Sequence, residues 1–133
     1  LIFSIAQSPI KSITAVGSNK INNLYNNVKC ILTFTNNIQA ELISERNYSV
    51  NTKRNISITC NTKIVEIDLL NRTITDAKEN EVWKCQENAN PLKMELIDFY
   101  NNVKKNTQPI VGIKESCKAV ETALKIEEII YTT

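Results

Sequence analysis

Few side chains of this sequence could do chemistry. Glu41, Glu45, Glu66 and Asp68 alternate along strand-like runs, and paired carboxylates are what general acid–base work requires. Alternating charges of this kind are, as a rule, the wetted face of a strand. The chain has no histidine, which removes the commonest general base, the serine and cysteine triads and the usual zinc ligand. Its four cysteines, Cys30, Cys60, Cys85 and Cys117, lie far apart, whereas metal sites bring cysteines in close pairs, so no metal site can be written. Cys30 and Cys60 fall at apolar positions of strand-like runs, and the cysteines are expected to be buried free thiols. Only Gly17 and Gly112 are glycines, too few for a glycine-rich phosphate loop of either nucleotide type. The three N-x-S/T sequons, at Asn47, Asn55 and Asn71, are what chance yields with 18 asparagines and 20 serines and threonines.

Length and charge narrow the classes further. A chain of 133 residues, 42% apolar and 23% charged, suits one globular domain with a core of its own. Sixteen basic and 14 acidic residues give a net charge of +2, and Lys53-Arg54 and Lys104-Lys105 are the only adjacent basic pairs. That excludes a dedicated nucleic-acid surface. No run approaches the roughly 18 apolar residues of a membrane span. Leu1–Ala6 is apolar but lacks the basic leader and cleavage site of a signal peptide. The chain opens on leucine, which reads as a piece cut from something longer.

The elements that position these residues are legible from periodicity. Residues 1–8 read as the last turns of a helix ended by Pro9. Ile10–Val16 alternates as a strand, and the polar, asparagine-rich Ser18–Asn27 reads as a loop. Val28–Phe34 and Ile38–Arg46 form a hairpin through Thr35-Asn36-Asn37, since asparagine tolerates the positive φ of the turn. Val28, Cys30, Leu32 and Phe34 share one face with Ile38, Ala40 and Leu42 of the partner strand. By the same alternation Arg46 follows Leu42 and Ser44 onto that face, at its open end. After the polar loop Asn47–Thr52, Arg54–Cys60 and Lys63–Leu70 form a second hairpin through Asn61-Thr62, and short strands follow at Arg72–Asp76 and Glu81–Lys84. Asn90-Pro91 then caps a helix whose apolar stripe is Leu92, Leu96, Phe99 and Val103. A second helix, from about Glu115 to Tyr131, carries Ala119, Ala123, Ile126 and Ile130, with Val120 and Leu124 alongside. Consecutive strands followed by helices make an α+β fold of two layers. Its largely antiparallel (mixed) sheet has helices on one face and leaves the other free. That free face is mostly polar but carries Ile31 and Ile43, which would let it pack on a partner.

Several segments, in order, resemble the C-terminal domain of the Gfo/Idh/MocA oxidoreductase family. Leu32–Leu42 (LTFTNNIQAEL) is similar to the family's L-x-F-x-N-G-x-x-A hairpin, and Ser44-Glu45-Arg46 lies where members carry a serine–arginine pair. Glu66–Arg72 follows, and then Pro91-Leu92 to Phe99, Pro109 and the closing helix resemble the family's P-L-x-x-E-x-x-x-F helix, connector and A-L-x-x-A helix. Asn37 stands where the family has a turn glycine, and Asn61-Thr62 where glycines are usual. Asparagine enters the left-handed region, so both departures are tolerable. The resemblance covers nearly the whole of residues 1–133 as one domain. It implies that the nucleotide-binding half, with its glycine-rich loop and its catalytic lysine and histidine, lies upstream of Leu1.

The resemblance implies the substrate-binding and dimerisation half of a cytoplasmic NAD- or NADP-dependent dehydrogenase, with no cofactor held by this chain itself and the chain inactive alone. The substrate would be a sugar, nucleotide sugar or polyol. Arg46 would grip a phosphate or carboxylate through charge-assisted hydrogen bonds, and Lys53 and Arg54 would hold the diphosphate of a nucleotide sugar. The plainer reading of each is a solvated cation. Ile31 and Ile43 would lie at the interface of a homo-oligomer, repeated on both partners. The competing reading is a non-catalytic remnant of a split gene or a stand-alone oligomerisation module. Neither reading involves nucleic acid or a membrane.

Overall fold

The computed structural model describes residues 1–46, 52–60, 63–76, 81–84, 90–109 and 111–132. In chain order the elements are α1 (Ile2–Ala6), β1 (Ile10–Ile21), β2 (Leu24–Phe34), β3 (Gln39–Glu45), β4 (Asn55–Thr59), β5 (Ile64–Asp68), β6 (Thr73–Asp76), β7 (Glu81–Lys84), α2 (Pro91–Lys105) and α3 (Ile113–Thr132). Two compact units divide them, residues 1–48 with 111–133, and residues 49–110.

The first unit is an antiparallel sheet in the order β1-β2-β3 with helices against one face. β1 and β2 are longer than their hydrophobic pattern predicts. Ser18–Asn27, which its polarity marks as a loop, is paired strand, with Ser18 opposite Asn27 and Lys20 opposite Tyr25. The reversal is confined to Asn22 and Asn23, whose φ angles of 50° and 63° are both positive. That is what a two-residue hairpin needs to match the strand twist, and asparagine supplies it without glycine. Polarity misleads here because this end of the ribbon faces solvent. The β2–β3 turn is where the sequence puts it, with Asn37 at φ 66° and its N–H donating to the Phe34 carbonyl at 3.0 Å.

Strand alternation decides the core. Cys30, Leu32 and Phe34 of β2 are buried with Ala6 of α1, and cross-strand pairing sets Cys30 beside Leu42 and Leu32 beside Ala40. Phe3 meets Phe34 edge to face at 6.3 Å, a geometry that contributes about 1 kcal/mol beyond burial. α1 ends at Gln7, φ 46°, just before Pro9. It is tied to the sheet by Asn36, whose Nδ2 donates to the Ala6 carbonyl at 2.9 Å. Ile126 of α3 packs on the same core, and Ile130 is buried beside it in the helix. The other sheet face carries Ile31, Ile43 and Val16. Ile43 is 62% and Val16 69% exposed, with a Lys29–Glu41 ion pair of 2.9 Å between them.

The second unit holds a four-stranded antiparallel sheet, β4-β5-β6-β7. The α+β class and antiparallel pairing therefore stand, but the described strands form two hydrogen-bonded sets where the sequence suggested one. β3 and β4 are joined by nine residues, beyond the two to five that make neighbours a hairpin, so sequence adjacency imposes no pairing. The Asn61-Thr62 turn and all of the loop Asn47–Thr52 except Thr52 lie outside the described residues. α2 begins as its sequence dictates: the Asn90 Oδ1 accepts from the Lys93 N–H at 3.2 Å and Pro91 opens the helix. It ends at Asn106, φ 53°. Its stripe of Leu92, Leu96, Phe99 and Val103 is exposed.

The thiols differ from expectation. Cys30 is buried, but Cys60 and Cys117 are exposed. Cys60 sits past the end of β4, where its backbone closes the turn with Lys63, and Cys117 lies off the sheet-facing stripe of α3. Cys85 lies outside the described residues.

Candidate functional site

The first unit contains a groove of about 490 Å³ between the ends of β2 and β3 and the last turns of α3. That is the size range of small-molecule sites. Its inner part is apolar, formed by Val28, Cys30, Leu42, Ile126 and Ile130. Burial pushes the Cys30 thiol up, against a smaller opposing hydrogen bond from the Leu42 backbone, so this wall is uncharged. Towards the sheet end the groove becomes polar, with Ser44 on β3, Arg46 just past its end, Glu127 on α3 and the rings of Tyr25 and Tyr131.

Arg46, one residue past the end of β3, lines the groove with Leu42 and Ser44 and is exposed. Its N–H donates to the Asn26 carbonyl at 2.7 Å, which extends the ladder by one rung and fixes where the side chain leaves the backbone. Among the described residues no carboxylate pairs with its guanidinium. Lys53 and Arg54 are exposed and belong to the second unit. There the Arg54 carbonyl accepts from the Leu69 N–H at 2.9 Å. Neither lines the groove. Ile31 and Ile43 share the opposite sheet face, by the pairings Ile31 with Glu41 and Lys29 with Ile43, and Ile43 also borders the groove.

Four lining residues escaped the sequence. Leu24 and Tyr25 fell in the segment read as a loop, and Glu127 and Tyr131 are off the apolar stripe of α3. The two rings lie 5.3 Å apart, and Lys20 places its ammonium 5.0 Å above Tyr25 and 5.5 Å above Tyr131. The Tyr131 hydroxyl donates to the Asn23 carbonyl at 3.2 Å. This pins the end of α3 to the β1–β2 turn and closes one end of the groove. The Asn22-Asn23 dipeptide is the signal that could have revealed it.

A dinucleotide cradle needs backbone N–H groups at a glycine turn opening a helix, and neither glycine here offers one. Gly17 lies within β1 under the Tyr25 ring. Gly112 opens α3, but its N–H already donates to the Glu115 carboxylate at 3.2 Å, which repels phosphate. Among the described residues no group of histidine, cysteine and carboxylate side chains could hold a metal, and no helix is long and apolar enough to cross a membrane.

No family model and no curated protein matches the sequence. Solved structures do. UDP-N-acetylglucosamine 3-dehydrogenase from Acidithiobacillus ferrooxidans superposes with a TM-score of 0.88 over 96% of this chain at 17% identity. The chain has the fold of one part of an oxidoreductase. An oxidoreductase from Thermotoga maritima aligns over 98% of the chain, with a TM-score of 0.79 and 22% identity. Biliverdin reductase from Synechocystis, solved with biliverdin and NADP+, aligns over 92% with a TM-score of 0.70 and 12% identity. The dehydrogenase and the Thermotoga protein are of the Gfo/Idh/MocA type that the sequence resembles. The chain spans only 42%, 41% and 40% of these three proteins, and at such identities the likeness is one of fold.

Proposed function

We propose that this chain is the substrate-binding and oligomerisation half of an NAD(P)-dependent oxidoreductase acting on a sugar, nucleotide sugar or polyol. The observation that carries the reading is the superposition of nearly the whole chain on under half of a UDP-N-acetylglucosamine dehydrogenase. The nicotinamide and the groups that move hydride and proton belong to the other half, because the glycines of this chain build no dinucleotide site. This half contributes substrate contacts. Arg46 holds an oxyanion of the substrate with two parallel hydrogen bonds, and Lys53 and Arg54 meet a diphosphate where the substrate carries one. The face bearing Ile31 and Ile43 packs on a second copy.

The test is reduction of NAD or NADP, followed at the nicotinamide absorbance, by the product of the complete reading frame over a panel of UDP-sugars, sugar phosphates and polyols. Turnover with at least one is expected, and Arg46→Lys should raise KM roughly tenfold, about 1.4 kcal/mol, with the fold intact. No turnover with any member, or an Arg46→Ala protein with unchanged KM and kcat, would count against it. This chain alone should show no saturable heat with NAD or NADP.

A further inference from the structure

One end of the groove is closed by a cation shared between two rings. Tyr25 belongs to the sheet and Tyr131 to the last turn of α3. Lys20, opposite Tyr25 in the β1–β2 ladder, holds its ammonium 5.0 Å above the first ring and 5.5 Å above the second. The Tyr131 hydroxyl adds its bond to the Asn23 carbonyl. Glu127, Ile130 and Tyr131 line the groove from the end of α3, so the groove wall moves wherever that turn moves. The turn carries hydrogen bonds of its own: the Thr132 hydroxyl donates to the Glu128 carbonyl at 2.8 Å, which satisfies a carbonyl that a helix end otherwise leaves free. It can lift from the sheet without stranding that group. Lifting gives up the burial of Ile130 and the contacts of Tyr131, and a helix end opens at far lower cost than the whole fold.

We propose that the last turn of α3 is a lid on the groove, and that Lys20, gripping Tyr25 and Tyr131 together, is the catch that keeps it shut. Lys20 does not line the groove. It is a positioning residue that acts through the two rings. When the lid lifts, the apolar inner end formed by Cys30, Leu42 and Ile126 opens to solvent and to a ligand. The device works in the same way whatever molecule the groove takes, so it stands apart from the reading of the chain as a substrate half.

Cys30 is the reporter, because its thiol lines the groove and is only 2% exposed. Alkylation of the folded chain over hours, at several low denaturant concentrations, reads its opening equilibrium after peptide mapping. The labelling rate should rise with denaturant much less steeply than global unfolding does, since a lid exposes little surface. Lys20→Gln should speed labelling about threefold, the effect of losing an exposed cation–π contact. Tyr131→Ala, which removes the ring and its hydroxyl bond as well, should speed it about tenfold or more with the shallow slope retained. Lys20→Arg keeps a cation over the rings and should leave the rate unchanged. Lys20 is exposed, so its replacement does not put folding at stake. Labelling that follows the slope of global unfolding would show that there is no lid. A shallow slope with the same rate in Lys20→Gln and Tyr131→Ala would put the opening elsewhere in the unit and overturn the proposal equally.

Discussion

Gly17 lies directly beneath the Tyr25 ring: a Cβ at Gly17 would come within 2.5 Å of Cγ of Tyr25. The ring thus sits on bare backbone, with Tyr131 beside it at 5.3 Å. Gly17→Ala must displace the ring from its place in the groove wall. Overpacking of this kind should cost about 1–3 kcal/mol in chemical denaturation. Tyr25→Ala in the Gly17→Ala background should recover part of that loss, and strict additivity of the two substitutions would show that the contact is absent.

The thiols should separate by reactivity. Cys30 is buried and burial raises its pKa, so both access and thiolate content are low. Cys60 and Cys117 are exposed. Brief alkylation of the native chain followed by peptide mapping should mark Cys60 and Cys117 and leave Cys30 untouched until denaturant is added. Early labelling of Cys30 would mean that β2 does not pack against α1 and α3 as described.

Asp68 gives the β5–β6 turn a dependence on pH. Its carboxylate accepts from the Asn71 N–H at 2.9 Å, the Asn71 side-chain amide at 2.8 Å and the Leu70 N–H at 2.8 Å. These bonds, those from Asn71 foremost, hold its pKa below the ordinary value of 3.8. A carboxyl whose folded pKa is depressed adds stability above its unfolded pKa and loses it as pH falls through the folded one. Asp68→Asn should therefore lower Tm at neutral pH and lose its penalty as both proteins are acidified below 3.8. A Tm difference independent of pH would show that the charge contributes nothing to the turn.

The proposed oligomer can be tested at Ile43. Ile43 and Val16 are largely exposed on a face shared with the half-buried Ile31, and two copies related by a two-fold axis would bury each twice. Sedimentation of the unaltered chain should give a dimer or a dimer of dimers. Ile43→Lys should shift it to monomer without loss of helix or sheet in circular dichroism. A strictly monomeric chain at high concentration would remove the interface.

What the sequence settles by itself is local. The β2–β3 hairpin follows from a period of two on either side of Asn36-Asn37, and α2 from Asn90-Pro91 and its stripe. Each depends on neighbours a few residues away, where sterics and one hydrogen bond decide. The rest required distant partners. That the polar Ser18–Asn27 is paired strand depends on its two halves meeting, because exposed residues give no alternation of hydrophobicity to read. That Cys60 is exposed depends on where the ladder ends. The groove exists because α3 returns, roughly a hundred residues later in the chain, to set Glu127 and Tyr131 opposite Arg46 and Tyr25. No periodicity encodes that meeting. It arises when Ile126 and Ile130 bury themselves against β1–β3, and burial is indifferent to how far apart in the sequence its partners lie.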